Sequence, residues 1–172
     1  MKKKFLPLIA LLFSITVGLS FSPQNSYADE NSPGTNSTEV DHQNATNVTE
    51  EEYLQNISGI KEVNDSELIN LLKSDDSYFM LIGYKGCPYC REFSKVLSEF
   101  KETSKLPIYY VNLEKKYGDT LSSEDKQLML SFFNEKVGPL YTPTFIRIDH
   151  QIPVNGFIGS NTTLVDLQSL NY

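Results

Sequence analysis

Apolar and polar positions divide the chain into three stretches. Phe5 to Leu19 is almost wholly apolar, broken only by Pro7, Ser14, Thr16 and Gly18. Asp29 to Glu52 holds almost nothing apolar. From Tyr53 onward apolar residues return with the periods of helices and strands. Ile57, Ile60 and Val63 mark a short first strand or the approach to it. Asn64 and Glu67 have the spacing of a capping box, so a helix is predicted through Leu68, Ile69, Leu71 and Leu72, ending at the polar turn Lys73 to Ser77. Tyr78 to Tyr84 is a continuous apolar run of strand length, as expected of a strand covered on both faces. Beyond Lys85 and Gly86, Phe93, Val96, Leu97 and Phe100 form one apolar helical stripe. Pro107 to Leu113 reads as a strand and Glu114 to Leu121 as a charged connection. Ser122 or Ser123 caps a helix that runs to Phe133 and closes at Gly138 and Pro139. Thr144 to Ile148 and Val154 to Ile158 are close enough, across the turn Asp149 to Gln151, to pair antiparallel. Ser160 to Thr163 offers caps for a last helix with Leu164, Leu167 and Leu170.

The predicted order is β-α-β-α-β-α-β-β-α. It implies an α/β fold: a mixed central sheet with a parallel portion, helices on both faces and an antiparallel hairpin at one edge. Three regions follow: residues 1–28, a linker at 29–52 and a folded domain at 53–172.

The first region reads as a secretory signal peptide. Lys2, Lys3 and Lys4 precede the apolar run, Pro23 follows it, and Ser26 and Ala28 stand where a signal peptidase reads small residues. The apolar run of about 17 residues is at the lower limit for spanning a bilayer, so an uncleaved anchor is the competing reading. Export to the cell envelope or the exterior is therefore expected. The linker carries seven acids and no Lys or Arg, and is expected to stay disordered as a solvated spacer. Asn36, Asn44, Asn47, Asn56 and Asn161 lie in N-x-[ST] triplets, which an Asn/Thr-rich stretch also produces by chance. Without its first 28 residues the chain has 12 basic and 22 acidic residues, a formal net charge of −10. That balance argues against nucleic acid and anionic membrane surfaces as partners.

Charge excludes partners, but the two cysteines point to a chemistry. Cys87-Pro88-Tyr89-Cys90 follows the buried strand and opens a helix. A thiol at a helix N-terminus faces unpaired N–H groups and the positive end of the macrodipole, which favour the thiolate. Pro88 suits the first helical position. Lys85 and Arg91 flank the site, where they either add positive potential or simply point to water. Cys87 is expected to be exposed and nucleophilic, reacting through a mixed disulfide, with Cys90 as the less exposed resolving thiol. Two cysteines so close together staple little chain, which weakens a purely structural disulfide. Zinc needs about four ligands. There is no second CxxC, and His42 and His150 fall in the linker and a turn, so no metal is expected. A cytosolic glutaredoxin conflicts with the leader sequence.

A second signal is Tyr141-Thr142-Pro143-Thr144-Phe145, with a proline just before an apolar strand. A cis Thr142–Pro143 bond would account for it and would offer the Thr142 backbone to an extended substrate. With both motifs present, the chain resembles the thioredoxin superfamily from about Val63 to Leu170. The resemblance implies a redox-active disulfide at Cys87/Cys90, a cis proline at Pro143 facing it, substrate contacts at Thr142 and Pro143, and no organic cofactor. Pro88-Tyr89 is similar to the glutaredoxin dipeptide. Gly156-Phe157-Ile158-Gly159 does not supply that family's glutathione clamp. Thioredoxins place a buried acid six residues before the first cysteine; this chain has Leu81 there. Proton transfer at Cys90 would then fall to water, Lys85 or a nearby carboxylate. The overall plan resembles the bacteriocin transport accessory proteins of Gram-positive bacteria. That group implies a monomeric thiol–disulfide oxidoreductase forming or rearranging disulfides in secreted proteins or peptides. The alternatives are a reductase fed by a membrane electron donor and a non-catalytic accessory module.

Overall fold

The computed structural model describes residues 46–172. The segment read as a signal peptide and residues 29–45 of the linker lie outside the described residues. Five strands, Lys61–Glu62 (β1), Tyr78–Gly83 (β2), Ile108–Asn112 (β3), Thr144–Asp149 (β4) and Ile152–Ile158 (β5), form one sheet in the order β1-β3-β2-β4-β5. β1, β3 and β2 run parallel; β4 is antiparallel to β2, and β5 to β4. The helices are Glu50–Asn56 (α1), Asp65–Lys73 (α2), Pro88–Phe100 (α3), Ser123–Ser131 (α4) and Leu164–Ser169 (α5).

β2 is central, and all six of its residues are buried. Period-two alternation sends Phe79 and Leu81 to one face and Tyr78, Met80 and Ile82 to the other. On the first face they meet Phe93, Leu97 and Phe100 of α3 and Leu167 of α5. Phe79, Phe93, Phe100 and Phe145 form an aromatic nest there, with ring centroids 5.3–6.0 Å apart. On the second face Leu68, Ile69 and Leu72 of α2 and Met129 of α4 complete a separate core. The predicted Asn64/Glu67 capping box is present, with the Asn64 side chain accepting from the Glu67 N–H and Glu67 accepting from the Asn64 N–H.

Two elements differ from the sequence reading. The linker expected to run to Glu52 gives way to packed chain by Thr46. Thr49 caps α1 in a capping box with Glu52, and the acids Glu50, Glu51 and Glu52 sit at the positive end of the helix, where they are favourable. Val48, Tyr53 and Ile57 are buried against α3, Thr46 Oγ1 donates to Glu92 at 2.7 Å, and Arg91 Nε donates to the Val48 carbonyl at 2.8 Å. Three apolar side chains and a buried-side clamp outweigh the polar composition. The second difference is beyond α4. The helix expected to reach Phe133 widens after Ser131 into a π turn, Phe132–Val137, which buries Phe132 and Val137 and ends at Gly138 with φ 84°.

The β4–β5 turn has its two central residues, His150 and Gln151, at positive φ, the geometry whose twist matches a hairpin. His150 sits exposed, 3.1 Å from Asp75. Gly156 crosses Ile146 so closely that a Cβ would lie 2.5 Å from Ile146 Cγ2 and 2.7 Å from the Phe145 carbonyl oxygen. Gly156→Ala should therefore destabilise the domain by roughly 1–3 kcal/mol, the usual cost of overpacking, measured as a lower urea midpoint with unchanged slope.

Candidate active site

The buried strand β2 ends at Gly83, and a loop of Tyr84, Lys85 and Gly86 carries the chain to α3. Cys87 is the N-cap of that helix, with extended backbone, and Pro88 takes the first helical position. The Cys90 N–H donates to Cys87 Sγ at 3.2 Å, so the sulfur occupies the place of a capping oxygen. The loop between the π turn and β4 then closes over it. Its Thr142–Pro143 peptide is cis, and Thr142 brings its carbonyl oxygen to 3.7 Å and its hydroxyl to 3.4 Å from Cys87 Sγ. Thus the structure brings together Cys87, Cys90, Thr142 and Pro143, which lie more than fifty residues apart in the chain.

This packing corrects the expectation that Cys87 is exposed: its relative exposure is 3%, and that of Cys90 is 1%. The reason is the Thr142 loop against the sulfur. Tyr89, by contrast, is 37% exposed at the rim. Both cysteines are free thiols.

The two thiols are driven apart electrostatically. The Cys87 pKa is lowered from 9.0 to about 6, first by the hydrogen bond with the Cys90 thiol, then by the Thr142 hydroxyl and the N–H groups of Cys90 and Tyr89, all against burial. Cys90 is pushed strongly upward by that same bond to Cys87 and by burial. A pair of titratable groups with pKa values separated in this way has its roles divided by environment, one sulfur ionised and the other protonated at neutral pH.

The flanking cations have other partners. Lys85 pairs with Glu50 at 3.2 Å. Arg91 donates from Nη1 to the Lys85 and Gly86 carbonyls, both at 3.3 Å, while its Nε holds Val48. It ties the site loop to the N-terminal segment. Leu81 is buried in the core beside the cysteines, and the main causes of the Cys90 shift are Cys87 and burial. Sequence reasoning missed the Tyr53 side chain, which α1 places close to Cys90. A Cβ on Gly83 would lie 3.0 Å from Cys90 Sγ and 3.9 Å from Tyr53 Oη. Among the described residues no group of three or more His, Cys, Asp or Glu could hold a metal ion.

Two outcomes follow from this geometry. Thr142→Val should raise the Cys87 pKa from about 6 toward 9.0, whereas Thr142→Ser should leave it low, as read from the pH dependence of Cys87 alkylation. The depressed pKa also links to stability. Ionised Cys87 stabilises the reduced fold fully above pH 9, loses that contribution as pH falls toward 6, and gives none below. Above pH 9 the protonated Cys90 opposes it, because an unfolded thiol ionises there. Urea melts of reduced protein should therefore show stability relative to Cys87→Ser growing between pH 6 and 9.

Comparison with solved structures identifies the fold. A chain described as an oxidoreductase candidate with a thioredoxin fold superposes with a TM-score of 0.51 at 11% identity, over 70% of this chain and 98% of its own. Thioredoxin from Aeropyrum pernix aligns with a TM-score of 0.45 at 18% identity, over 62% of this chain and 81% of its own. Mitochondrial thioredoxin 3 of Saccharomyces cerevisiae gives 0.47 at 15% identity, over 67% and 96%. The domain is thioredoxin-like, with a five-stranded mixed sheet. The family described as TraF, F plasmid transfer operon protein, matches residues 39–160. That span covers well over half of the sequence and includes both cysteines and the Thr142–Pro143 loop, and the chain accordingly belongs to the TraF family.

Proposed function

We propose that the protein is an exported thiol–disulfide oxidoreductase that forms or rearranges disulfides in secreted proteins or peptides. The observation that carries this reading is the divided pair, with Cys87 lowered to about 6 and Cys90 held protonated at one helix N-terminus beneath Thr142. A low-pKa thiolate is a good leaving group, so a Cys87 mixed disulfide is readily passed on to a substrate thiol. In its oxidised form the Cys87–Cys90 disulfide accepts attack by a substrate thiolate at Cys87. A second substrate thiol then displaces Cys87, leaving a disulfide in the substrate and two thiols in the enzyme. Cys87 and Cys90 carry the electrons, Thr142 and Pro143 contact the substrate backbone, and Pro88 and Tyr89 shape the loop. No metal or organic cofactor takes part.

The export assignment rests on the Lys2-to-Ala28 pattern, and the net negative charge suits a protein that works outside the cytoplasm. The TraF match supports an accessory role beside a transfer or export apparatus, and the sequence plan of leader, acidic stretch and small domain resembles that of the bacteriocin transport accessory group. The domain acts as a monomer on peptide or protein thiols.

Cys90→Ser should trap mixed disulfides through Cys87, and the trapped partners should be exported proteins that need disulfides. Trapping a membrane electron donor instead would turn the assignment to a reductase. Full biological activity in Cys87→Ala/Cys90→Ala would leave only a binding module. Against a glutathione series, a potential above about −180 mV is expected, and one at or below about −270 mV would reverse the direction of electron flow.

A further inference from the structure

We propose that Tyr53 is the hydrogen-bond donor that stabilises the Cys90 thiolate whenever the Cys87–Cys90 bond is made or broken. The proposal rests on the redox reading of the cysteine pair and adds a third side chain to it.

Tyr53 is 1% exposed, and its hydroxyl is a fully buried polar atom with no hydrogen-bond partner among the described residues. Such groups are rare in folded proteins and call for an explanation. The Tyr110 hydroxyl, on a ring 6.4 Å away and roughly edge-on, is a long donor-to-acceptor contact that helps raise the Tyr53 pKa but falls outside hydrogen-bond geometry. What lies on the other side is the site. Tyr53 Oη and Cys90 Sγ both border the space left by the missing Gly83 side chain, 3.9 and 3.0 Å from where a Cβ would stand. Both belong to the core on the α3 face of the sheet. The ionisable groups around Cys90 are Cys87, Tyr53, Tyr84 and Tyr110, with Thr142 and the Tyr84 N–H as further polar contacts. The Tyr84 N–H and the Thr142 hydroxyl, which also serves Cys87, are thin stabilisers for a buried sulfur anion.

The need arises at one step. When a substrate thiolate attacks the Cys87 sulfur of the disulfide, the Cys87–Cys90 bond breaks and its electron pair leaves on Cys90. Cys90 is then a buried thiolate until it takes up a proton. In reverse, Cys90 sheds its proton and attacks Cys87 of a mixed disulfide. The bond to the substrate sulfur breaks, the pair leaves on that sulfur, and that sulfur takes up the proton. Either way one disulfide replaces another, and the two-electron exchange with the substrate is complete only when the mixed disulfide has in turn been resolved. With Cys90 as a thiol, a weak acceptor at best, the Tyr53 hydroxyl has no strong acceptor. An ionised Cys90 supplies one, and the O–H, free to rotate about its C–O bond, turns toward it. A donor held ready where charge develops stabilises that charge without reorganisation.

The test uses the full chain, reduced, mixed with dithiobis(nitrobenzoate). Attack by Cys87 releases one nitrothiobenzoate, and attack by Cys90 on the resulting mixed disulfide releases the second. In Tyr53→Phe the first release should keep its rate, while the second should slow by roughly 10–100-fold, the worth of a hydrogen bond to a charged group. The pH profile of the second release should also move upward. A fluorotyrosine at position 53 keeps the ring and sharpens the hydroxyl as a donor, so the second release should quicken. A second release at the wild-type rate in either variant overturns the proposal. A wild-type protein that never releases the second equivalent overturns the redox reading itself, a result distinct from the first.

Discussion

The hydrogen bond from the Cys90 N–H to Cys87 Sγ is the contact on which the site depends. It makes a sulfur the cap of α3, and thereby fixes where the reactive atom sits relative to the helix end. A hydroxyl cap would satisfy the same N–H and do no redox chemistry. A sulfur cap places a polarisable, ionisable atom where the backbone already favours negative charge. The rest of the fold holds that arrangement steady. β2 anchors the loop before the cap, α3 carries the second sulfur one turn on, and β4 delivers Thr142 from the opposite side. Parallel and antiparallel neighbours of β2 are both required, because the two halves of the site enter from β2 and β4, which run in opposite directions.

Much of this was legible in the residues themselves. The seven apolar residues Tyr78 to Tyr84 announced a strand covered on both faces, and Asn64 with Glu67 announced the start of α2. The cysteine pair and the proline before Thr144 announced the two halves of the site, since each is a local signal with a local cause. The segment around α1 was misread because three consecutive acids suggest a solvated tail. Yet Thr49 and Glu52 have capping-box spacing, and Tyr53 and Ile57 fall four apart on one helical face, a signal present but outweighed by composition. The behaviour of Lys85 and Arg91 was not legible. Flanking charge is visible in sequence, but whether it faces a thiolate or a carbonyl is decided by Glu50 and Val48, which only folding brings near. The π turn has no sequence signature of its own. Tyr53 and Cys90 meet only across Gly83, a tertiary fact with no local trace.

α1 also changes what the domain boundary means. Val48, Tyr53 and Ile57 pack on α3, so the end of the polar, acidic stretch contributes to the core that holds the cysteines. Through Arg91 it reaches the carbonyls of the site loop as well. The TraF match, which begins at residue 39, includes this segment. The domain therefore joins the N-terminal part of the chain beside its reactive end.

The wide separation of the two thiol pKa values fixes the proton inventory of the couple. Above about pH 6, reduced protein carries one proton on the pair, on Cys90, whereas the disulfide carries none. Reduction by two electrons thus takes up a single proton, and the midpoint potential falls by about 30 mV per pH unit instead of the ~59 mV of an ordinary dithiol. Below the Cys87 pKa the second proton is taken up and the steeper slope returns. The cap geometry thereby makes the oxidising strength of the pair comparatively insensitive to the acidity of its surroundings across the neutral range.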